Sequence, residues 1–268
     1  MNKQICITIL CLSGMLMGYS QNNQGGRLTA MGNNGAAVKD AWGIAANPAG
    51  ITEIRSAMLL LAYQKYFLTD ELSSQAIGLI FPFKKYVFGL NLQRYGITDY
   101  NEIKAAIIFT KQFGDKLSIG SRFNYHQLKI TDYGTATAIA VDVGAIYQLD
   151  EKLGFGLYFN NPSQAVYRTK STSLVINTGA HIGIAYQSSS KLLIAGTLSY
   201  YFDKATDVAI GIDYKLIESL SLRAGISLKP IKQYVGIGFN TKKIRLDLAL
   251  SNDSNLGYSP QITLNYVF

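Results

Sequence analysis

The sequence predicts an all-β fold class: a transmembrane antiparallel β-barrel of about fourteen strands with an N-terminal plug segment. Three observations predict it. Apolar and polar residues alternate from Ser56 onward, the turns fall into a short set and a longer set, and the chain ends on an aromatic residue. Because successive side chains of a strand point to opposite faces, each segment should present one apolar and one polar face.

The alternation is clearest near the C-terminus. Apolar residues occupy every second position of the segments 220–228, 235–239 and 244–250, and the same period recurs at 139–147 and 153–159. Segments of this kind, about ten residues long, number about fourteen. The even count is typical of a bacterial barrel with both termini in the periplasm.

The turns between the segments are an independent observation. Taken alternately, one set is uniformly tight, as at 113–115 and 217–219, whereas the other includes longer loops at 96–101, 161–173 and 252–258. Outer-membrane barrels have short periplasmic turns and longer extracellular loops. The sorting of the turns therefore predicts which end of the barrel faces outward.

A soluble β-sandwich would also alternate apolar and polar residues. Against it, the segments are long and evenly spaced, and the chain ends on an alternating apolar pattern that closes with Phe268. That ending resembles the signal read by the outer-membrane insertion machinery. Aromatic residues also gather near segment ends, as interfacial girdles do: Tyr63, Tyr66, Tyr200 to Phe202, Tyr258 and Tyr266.

Residues 1–20 are predicted to be a signal peptide. Lys3 is their only charge, and the apolar run from Ile5 to Met17 is shorter than the roughly 20 residues that a spanning helix needs. Both cysteines, Cys6 and Cys11, lie in this segment, so the mature chain should carry neither disulfide nor lipid.

The net charge of +8 would suit an anionic partner. Nucleic acid is excluded as a partner, because the 25 Lys and Arg residues are scattered and an exported chain does not meet it. Outer-membrane lipid headgroups are the expected counter-charge. The chain is 48% hydrophobic, yet it has no later apolar run long enough for a spanning helix. We therefore predict that it crosses the bacterial cell outer membrane with β-strands.

Residues 21–55 do not alternate, and they are predicted to form a plug segment before the barrel at 56–268. The segment is rich in Gly and Asn, which allow tight turns, and it contains Trp42 and several aliphatic residues. A disordered linker would be less apolar. Asn47 before Pro48 should form a turn into the barrel wall.

The motif in this segment resembles a known family. A Met-Gly step at Gly32, an Asp and the aromatic Trp42 are followed by Asn47, Pro48 and Ala49 just before the first strand. This resembles the N-terminal hatch of FadL-type transporters, and equally the Bacteroidetes-type PorV and PorQ barrels of type IX secretion. The resemblance covers the whole mature chain, and it implies fourteen strands, a plug and a hatch role for the motif residues.

If the apolar faces point to lipid, the barrel lumen receives charged side chains of both signs. Those on the late strands come from neighbouring segments and could form one ion-pair network that pins the plug. Arg122, His126 and His181 could instead bind a carboxylate headgroup. The candidate lumen residues are Arg122, His126, His181, Asp213, Arg223, Arg245 and Asp247.

An enzyme is not expected. His126 and His181 are the only imidazoles, and neither lies in a Ser or Cys motif. The sequence has no metal-ligand cluster and no phosphate-binding glycine spacing. We therefore predict no catalytic residues, no metal site and no cofactor.

Two functions remain open. The first is passive uptake of a hydrophobic or amphipathic small molecule, captured outside and released sideways through the wall. Unlike the FadL-type transporters, however, this chain lacks the long extracellular loops that build their outer ligand groove. The second is a PorV- or PorQ-like accessory barrel that binds proteins of the type IX secretion system, although the longest loop, 161–173, is modest.

Overall fold

The computed structural model describes residues 23–69, 71–168, 173–202 and 205–268. In this part of the chain, antiparallel strands close into a single barrel, and two short strands form a separate two-stranded sheet. The predicted signal peptide, residues 1–20, lies outside the described residues. The division of the remaining chain at residue 55 stays a prediction.

The barrel wall has fourteen strands. They are β1 (Met58–Lys65), β2 (Ser73–Phe83), β3 (Tyr86–Gly96), β4 (Tyr100–Phe113), β5 (Leu117–Ile130), β6 (Gly134–Gln148), β7 (Leu153–Asn160), β10 (Gly179–Ser189), β11 (Leu192–Tyr201), β12 (Asp207–Ile217), β13 (Leu220–Leu228), β14 (Ile231–Asn240), β15 (Ile244–Asp253) and β16 (Gly257–Val267). The hairpin consists of β8 (Val166–Arg168) and β9 (Ser173–Val175).

The barrel closes between its first and last strands. β1 pairs with β16 in a register that runs from Met58 opposite Val267 to Gln64 opposite Gln261. Each other wall strand pairs with its neighbours in the chain, except that β7 pairs with β10 across the hairpin. Closure leaves no unpaired edge within the membrane, which a lipid-embedded sheet requires. The predicted fold class, a barrel of fourteen strands with a plug, is confirmed.

The two faces of the wall follow the alternation in the sequence. On β5, Ile119 and Phe123 point outward and are 43% and 54% exposed. Arg122 and Asn124, on either side of Phe123 in the sequence, are buried in the lumen. An apolar exterior and a polar, occupied interior are what a lipid-embedded barrel needs. The predicted outer-membrane location agrees with this fold. None of the helices in the described ranges is long and apolar enough to cross a membrane.

The predicted aromatic girdle is correct at some positions and wrong at Tyr66 and Tyr201, which face the lumen. Tyr63, Tyr200 and Tyr258 point outward and are exposed, but Tyr66 is only 1% exposed. It follows the end of β1 and turns into the barrel mouth, where its ring meets the edge of Tyr95 at 5.3 Å. Tyr66 continues the even-numbered series of β1 that faces the lumen, after Leu60, Ala62 and Gln64, so the alternation itself directs its ring inward.

The longest connection folds into the outer mouth of the barrel. It joins β7 to β10 and contains the β8–β9 hairpin. Tyr167 and Ile176 of this connection are buried against Leu128 and Ala136, which lie on the inner faces of β5 and β6. The buried part of the connection therefore covers part of the lumen.

The plug fills the bore below this mouth. It contains one helix, α1 (Gly25–Ala30), and two 3₁₀ helices, η1 (Ala41–Ile44) and η2 (Pro48–Ile51). Asp40 and Asn47 cap the two 3₁₀ helices, since their side chains accept hydrogen bonds from Trp42 N and Ala49 N. Apolar plug residues form one core with inward-pointing wall residues: Leu28, Met31, Trp42, Ile44, Ile51, Leu60, Ile80 and Ile108.

Glycines of the wall allow this close packing. A Cβ atom added at Gly120 would lie 2.6 Å from the backbone of Pro48 and Ala49. Seven more inward glycines similarly meet plug atoms at less than van der Waals separation: Gly78, Gly144, Gly156, Gly183, Gly211, Gly225 and Gly236. At these positions plug atoms, backbone or side chain, thus lie directly against the wall backbone, and only glycine leaves room for them.

Substitution of Gly120 by Ala should loosen the plug. The added methyl group would press on plug backbone atoms, and overpacking of this kind costs about 1–3 kcal/mol. Trp42 is the only tryptophan of the chain, so its fluorescence reports the plug. We expect Gly120→Ala to shift the urea midpoint of Trp42 emission to lower concentration.

Gly196→Ala is the matched control. Gly196 lies on β11, where an added Cβ would make only ordinary contacts, the nearest at 3.5 Å. The urea midpoint of Trp42 emission in Gly196→Ala should equal that of the unmodified protein. Equal midpoints for both variants would contradict the view that the wall glycines hold the plug.

Candidate functional site: plug and outer lumen

Charged residues of the late strands pair with one another inside the barrel. Arg223 lies between two carboxylates, with Nε 3.1 Å from Asp213 Oδ1 and Nη1 2.6 Å from Asp247 Oδ1. β12, β13, β14 and β15 are consecutive in the wall, so residues at matching heights on them face one another. Arg245, on β15 with Asp247, pairs instead with Asp40 of the plug.

Two plug residues that the sequence did not place in the network complete it. Arg27 of α1 places Nε 2.8 Å from Asp213 Oδ2 and Nη1 2.9 Å from Asp40 Oδ2. Asp40 also lies 3.7 Å from Arg245 Nη1. We call the six residues Arg27, Asp40, Asp213, Arg223, Arg245 and Asp247 the plug latch. It joins the two halves of the plug to three wall strands, β12, β13 and β15.

Asp40 is the centre of the latch on the plug side. Burial by itself raises the pKa of the Asp40 carboxyl, but Arg27, Arg245 and the Trp42 amide outweigh burial and lower the pKa below its ordinary value. A lowered pKa in the folded state means that this carboxylate stabilises the fold at neutral pH. The contribution is lost as the pH falls through the folded-state value.

Arg122 holds the opposite side of the plug. It pairs with Asp142, at 2.8 Å from Nε to Oδ2, and its Nη1 donates to the carbonyl oxygens of Ile44 at 2.9 Å and Ala46 at 3.1 Å. Its Nη2 donates to the Tyr158 hydroxyl at 2.5 Å. The guanidinium is fully buried and binds plug backbone.

The two histidines lie apart from each other. His126 is buried on β5, with its ring edge-on to Tyr167 of the outer connection at 6.2 Å. His181 on β10 has ring nitrogens 2.9 Å from Ser199 Oγ and 2.9 Å from Asn160 Oδ1. Arg122 and His181 share Tyr158 as a neighbour, whereas His126 contacts Tyr167. A role for the three in binding a carboxylate headgroup stays a prediction.

Asn47 of the hatch motif links the plug to itself and to the wall. Its Oδ1 accepts from Ala49 N at 3.0 Å, while Nδ2 lies within 2.6 Å of Ala36 O. The same Nδ2 also reaches Ala145 O and Leu157 O of the wall at 3.3 Å. An amide is needed here because the site requires a donor and an acceptor on one short side chain.

The other motif residues make different contacts. The Trp42 indole donates to Asn265 Oδ1 at 3.0 Å, and Pro48 O accepts from the Thr110 hydroxyl at 2.8 Å. Gly32 has a φ of +78°, a conformation that favours glycine. It forms the turn after α1, near the carbonyl oxygens of wall strands β12 and β13.

A cavity of about 160 Å³ lies on the outer side of the plug. We call it the outer cavity. Its floor is the plug turn around Gly32 to Ala36, and its walls are the outer ends of β7, β10, β11 and β12. The side chains that line it include Asn33, Asn160, His181, Ser199, Tyr201 and Asp207.

No family model and no curated protein matches the sequence. The structure, however, is similar to solved channels. The CymD monoaromatic hydrocarbon channel has a TM-score of 0.69 at 14% identity, over 91% of this chain and 97% of that one. The Ralstonia pickettii toluene transporter TbuX has 0.67 at 15%, over 94% and 99%. A Pseudomonas aeruginosa FadL homologue has 0.67 at 11%, over 91% and 98%. This chain has the FadL-type barrel fold.

At these identities the similarity concerns the fold. The FadL-type part of the resemblance seen in the sequence is therefore supported at the level of architecture. The likeness to PorV and PorQ stays a prediction, as do the hatch roles of Asn47, Pro48, Ala49, Trp42 and Gly32.

Asp40→Asn should weaken the plug latch of this FadL-type barrel. The amide keeps an oxygen for Trp42 N but loses the charge that pairs with Arg27 and Arg245, and breaking a buried ion pair costs about 3 kcal/mol. We expect a lower urea midpoint of Trp42 emission at pH 7. The difference from the unmodified protein should shrink at acidic pH, where Asp40 is protonated.

Glu53→Gln provides the control. Glu53 pairs with Lys39 at 2.7 Å, but its side chain is 55% exposed. Exposed pairs contribute about 0–1 kcal/mol. A loss for Glu53→Gln as large as that for Asp40→Asn would contradict a special role for the latch.

Proposed function

We propose that this chain mediates passive uptake of hydrophobic or amphipathic small molecules across the outer membrane. The observation that carries the proposal is the outer cavity. It lies in the lumen of a FadL-type barrel and ends on the plug. A molecule that enters from outside therefore meets a binding-sized space before it meets the obstruction.

The covering connection supports the same proposal. Tyr167 and Ile176 are buried in the mouth, on inner-face residues of β5 and β6. Burial of these two residues in the mouth shapes the route to the lumen. The similar channels are described as carrying monoaromatic hydrocarbons or toluene, which suggests the size of molecule to test.

Uptake requires the plug to move. The plug is held by polar contacts at two sides, Arg122 and the plug latch, and no gap through its apolar core is evident among the described residues. Such contacts can break and re-form without covalent change. The alternative function, an accessory barrel of type IX secretion, stays a prediction.

A disulfide between plug and wall tests this function. A Cβ added at Gly26 lies 3.0 Å from Thr263 Oγ1, close enough for a bridge between Gly26→Cys and Thr263→Cys. We expect cells that express the chain to take up labelled benzene and phenol faster than empty-vector cells, without an energy source. With the disulfide formed, the double variant should take up these molecules no faster than empty-vector cells, and reductant should restore the faster uptake.

Each single-cysteine variant serves as a control and should transport equally with and without reductant. If the oxidised double variant transports as fast as the reduced one, the plug does not need to move. If no variant exceeds the empty vector, the proposed uptake is wrong.

A further inference from the structure

The outer cavity has the size of one small ring. Its volume is about 160 Å³, and an apolar protein cavity of roughly 150 Å³ holds one benzene molecule. Size alone would admit a hydrocarbon. The chemistry of the lining decides which ring-sized molecule fits.

Aromatic rings form one wall of the cavity in a fixed arrangement. His181 stacks on Tyr158, with ring centroids 5.2 Å apart and an angle of 22° between the planes, and Tyr201 meets His181 edge-on at 5.3 Å. The contacts of His181 with Ser199 and Asn160 hold its ring in place. A planar ligand therefore finds a preformed aromatic surface.

The remaining lining is mostly polar. Asn33 is an exposed residue at the plug turn, and Ser199, Asn160, Tyr234 and Asp207 surround the same space. In the described structure, Thr197 Oγ1 and Gln24 Oε1 of the same lining are buried without a hydrogen-bond partner, and a hydrocarbon would offer them none. Buried polar groups left unpaired in this way penalise a ligand that lacks hydroxyl or carbonyl groups.

The charge of the lining excludes anions. Among the described lining residues Asp207 is the one carboxylate, and none is Lys or Arg. Arg122 is near, but it is paired with Asp142 and directed at the plug carbonyls. A carboxylate ligand would meet like charge and no compensating cation.

We propose that the outer cavity binds a small uncharged ring that carries hydroxyl groups, of the size of phenol. Its role as the first step of transport rests on the proposed function, but binding can be measured on its own. The ring packs on Tyr158, His181 and Tyr201. Its hydroxyl bonds to the polar groups beside the plug turn.

The test uses the full mature chain in detergent and three probes of one ring size: phenol, benzene and benzoate. Binding is followed by ligand-detected NMR. We expect phenol to bind at least about tenfold more tightly than either other probe, as sites built to hydrogen-bond a hydroxyl discriminate strongly. Benzene bound as tightly as phenol would overturn the proposal.

A cavity-filling variant distinguishes phenol bound in the outer cavity from phenol dissolved in the detergent micelle. Ala209 lines the cavity, and Ala209→Leu should abolish the phenol signal, whereas Ala105→Leu on the outer face of β4 should not. Unchanged Trp42 emission verifies that the plug stays docked. Equal phenol signals in both variants would mean partition into detergent only, and the inference would fail.

Asp207→Asn tests the charge. Asp207 Oδ1 accepts from Leu228 N and Lys229 N, and the amide oxygen of Asn can keep both bonds. Benzoate should then bind about tenfold more tightly, while phenol changes little. No gain for benzoate would overturn the assignment of Asp207. Phenol binding without any uptake by cells would refute the transport role and leave the binding site standing.

Discussion

The plug can stay in the bore only because side chains of the wall bind its backbone. The plug has little regular secondary structure, so many of its carbonyl and amide groups lack partners within the segment and would be costly to bury unpaired. Arg122 binds two of these carbonyls, and Thr110 and Gln93 bind those of Pro48 and Asn23. The wall glycines contribute by letting the two backbones approach.

This constraint also shapes the lumen. Arg122 and Asp142 hold the plug on the side of β5 and β6, and the plug latch holds it on the side of β12 to β15. The outer cavity lies on the arc between these two attachments, against β7, β10, β11 and β12. Where the wall is not occupied in binding plug backbone, its polar and aromatic side chains are available to a ligand.

Much of this was predictable from the sequence. Alternation with a period of two determines which side chains face the lumen, so Arg122, His126, Asp213, Arg223 and Asp247 could be placed inside. Neighbouring late strands then bring Asp213, Arg223 and Asp247 to similar heights. The plug was predictable because residues 21–55 are too apolar for a linker and do not alternate.

The sequence by itself determined the strand period, the approximate strand number and the inward charges, because each follows from local spacing along a strand. Only the tertiary structure decided that Arg27 and Asp40 complete the latch and that the outer connection folds into the mouth. These features join residues far apart in the chain, and no local period describes an irregular segment. Their positions follow from closure of the barrel around the plug.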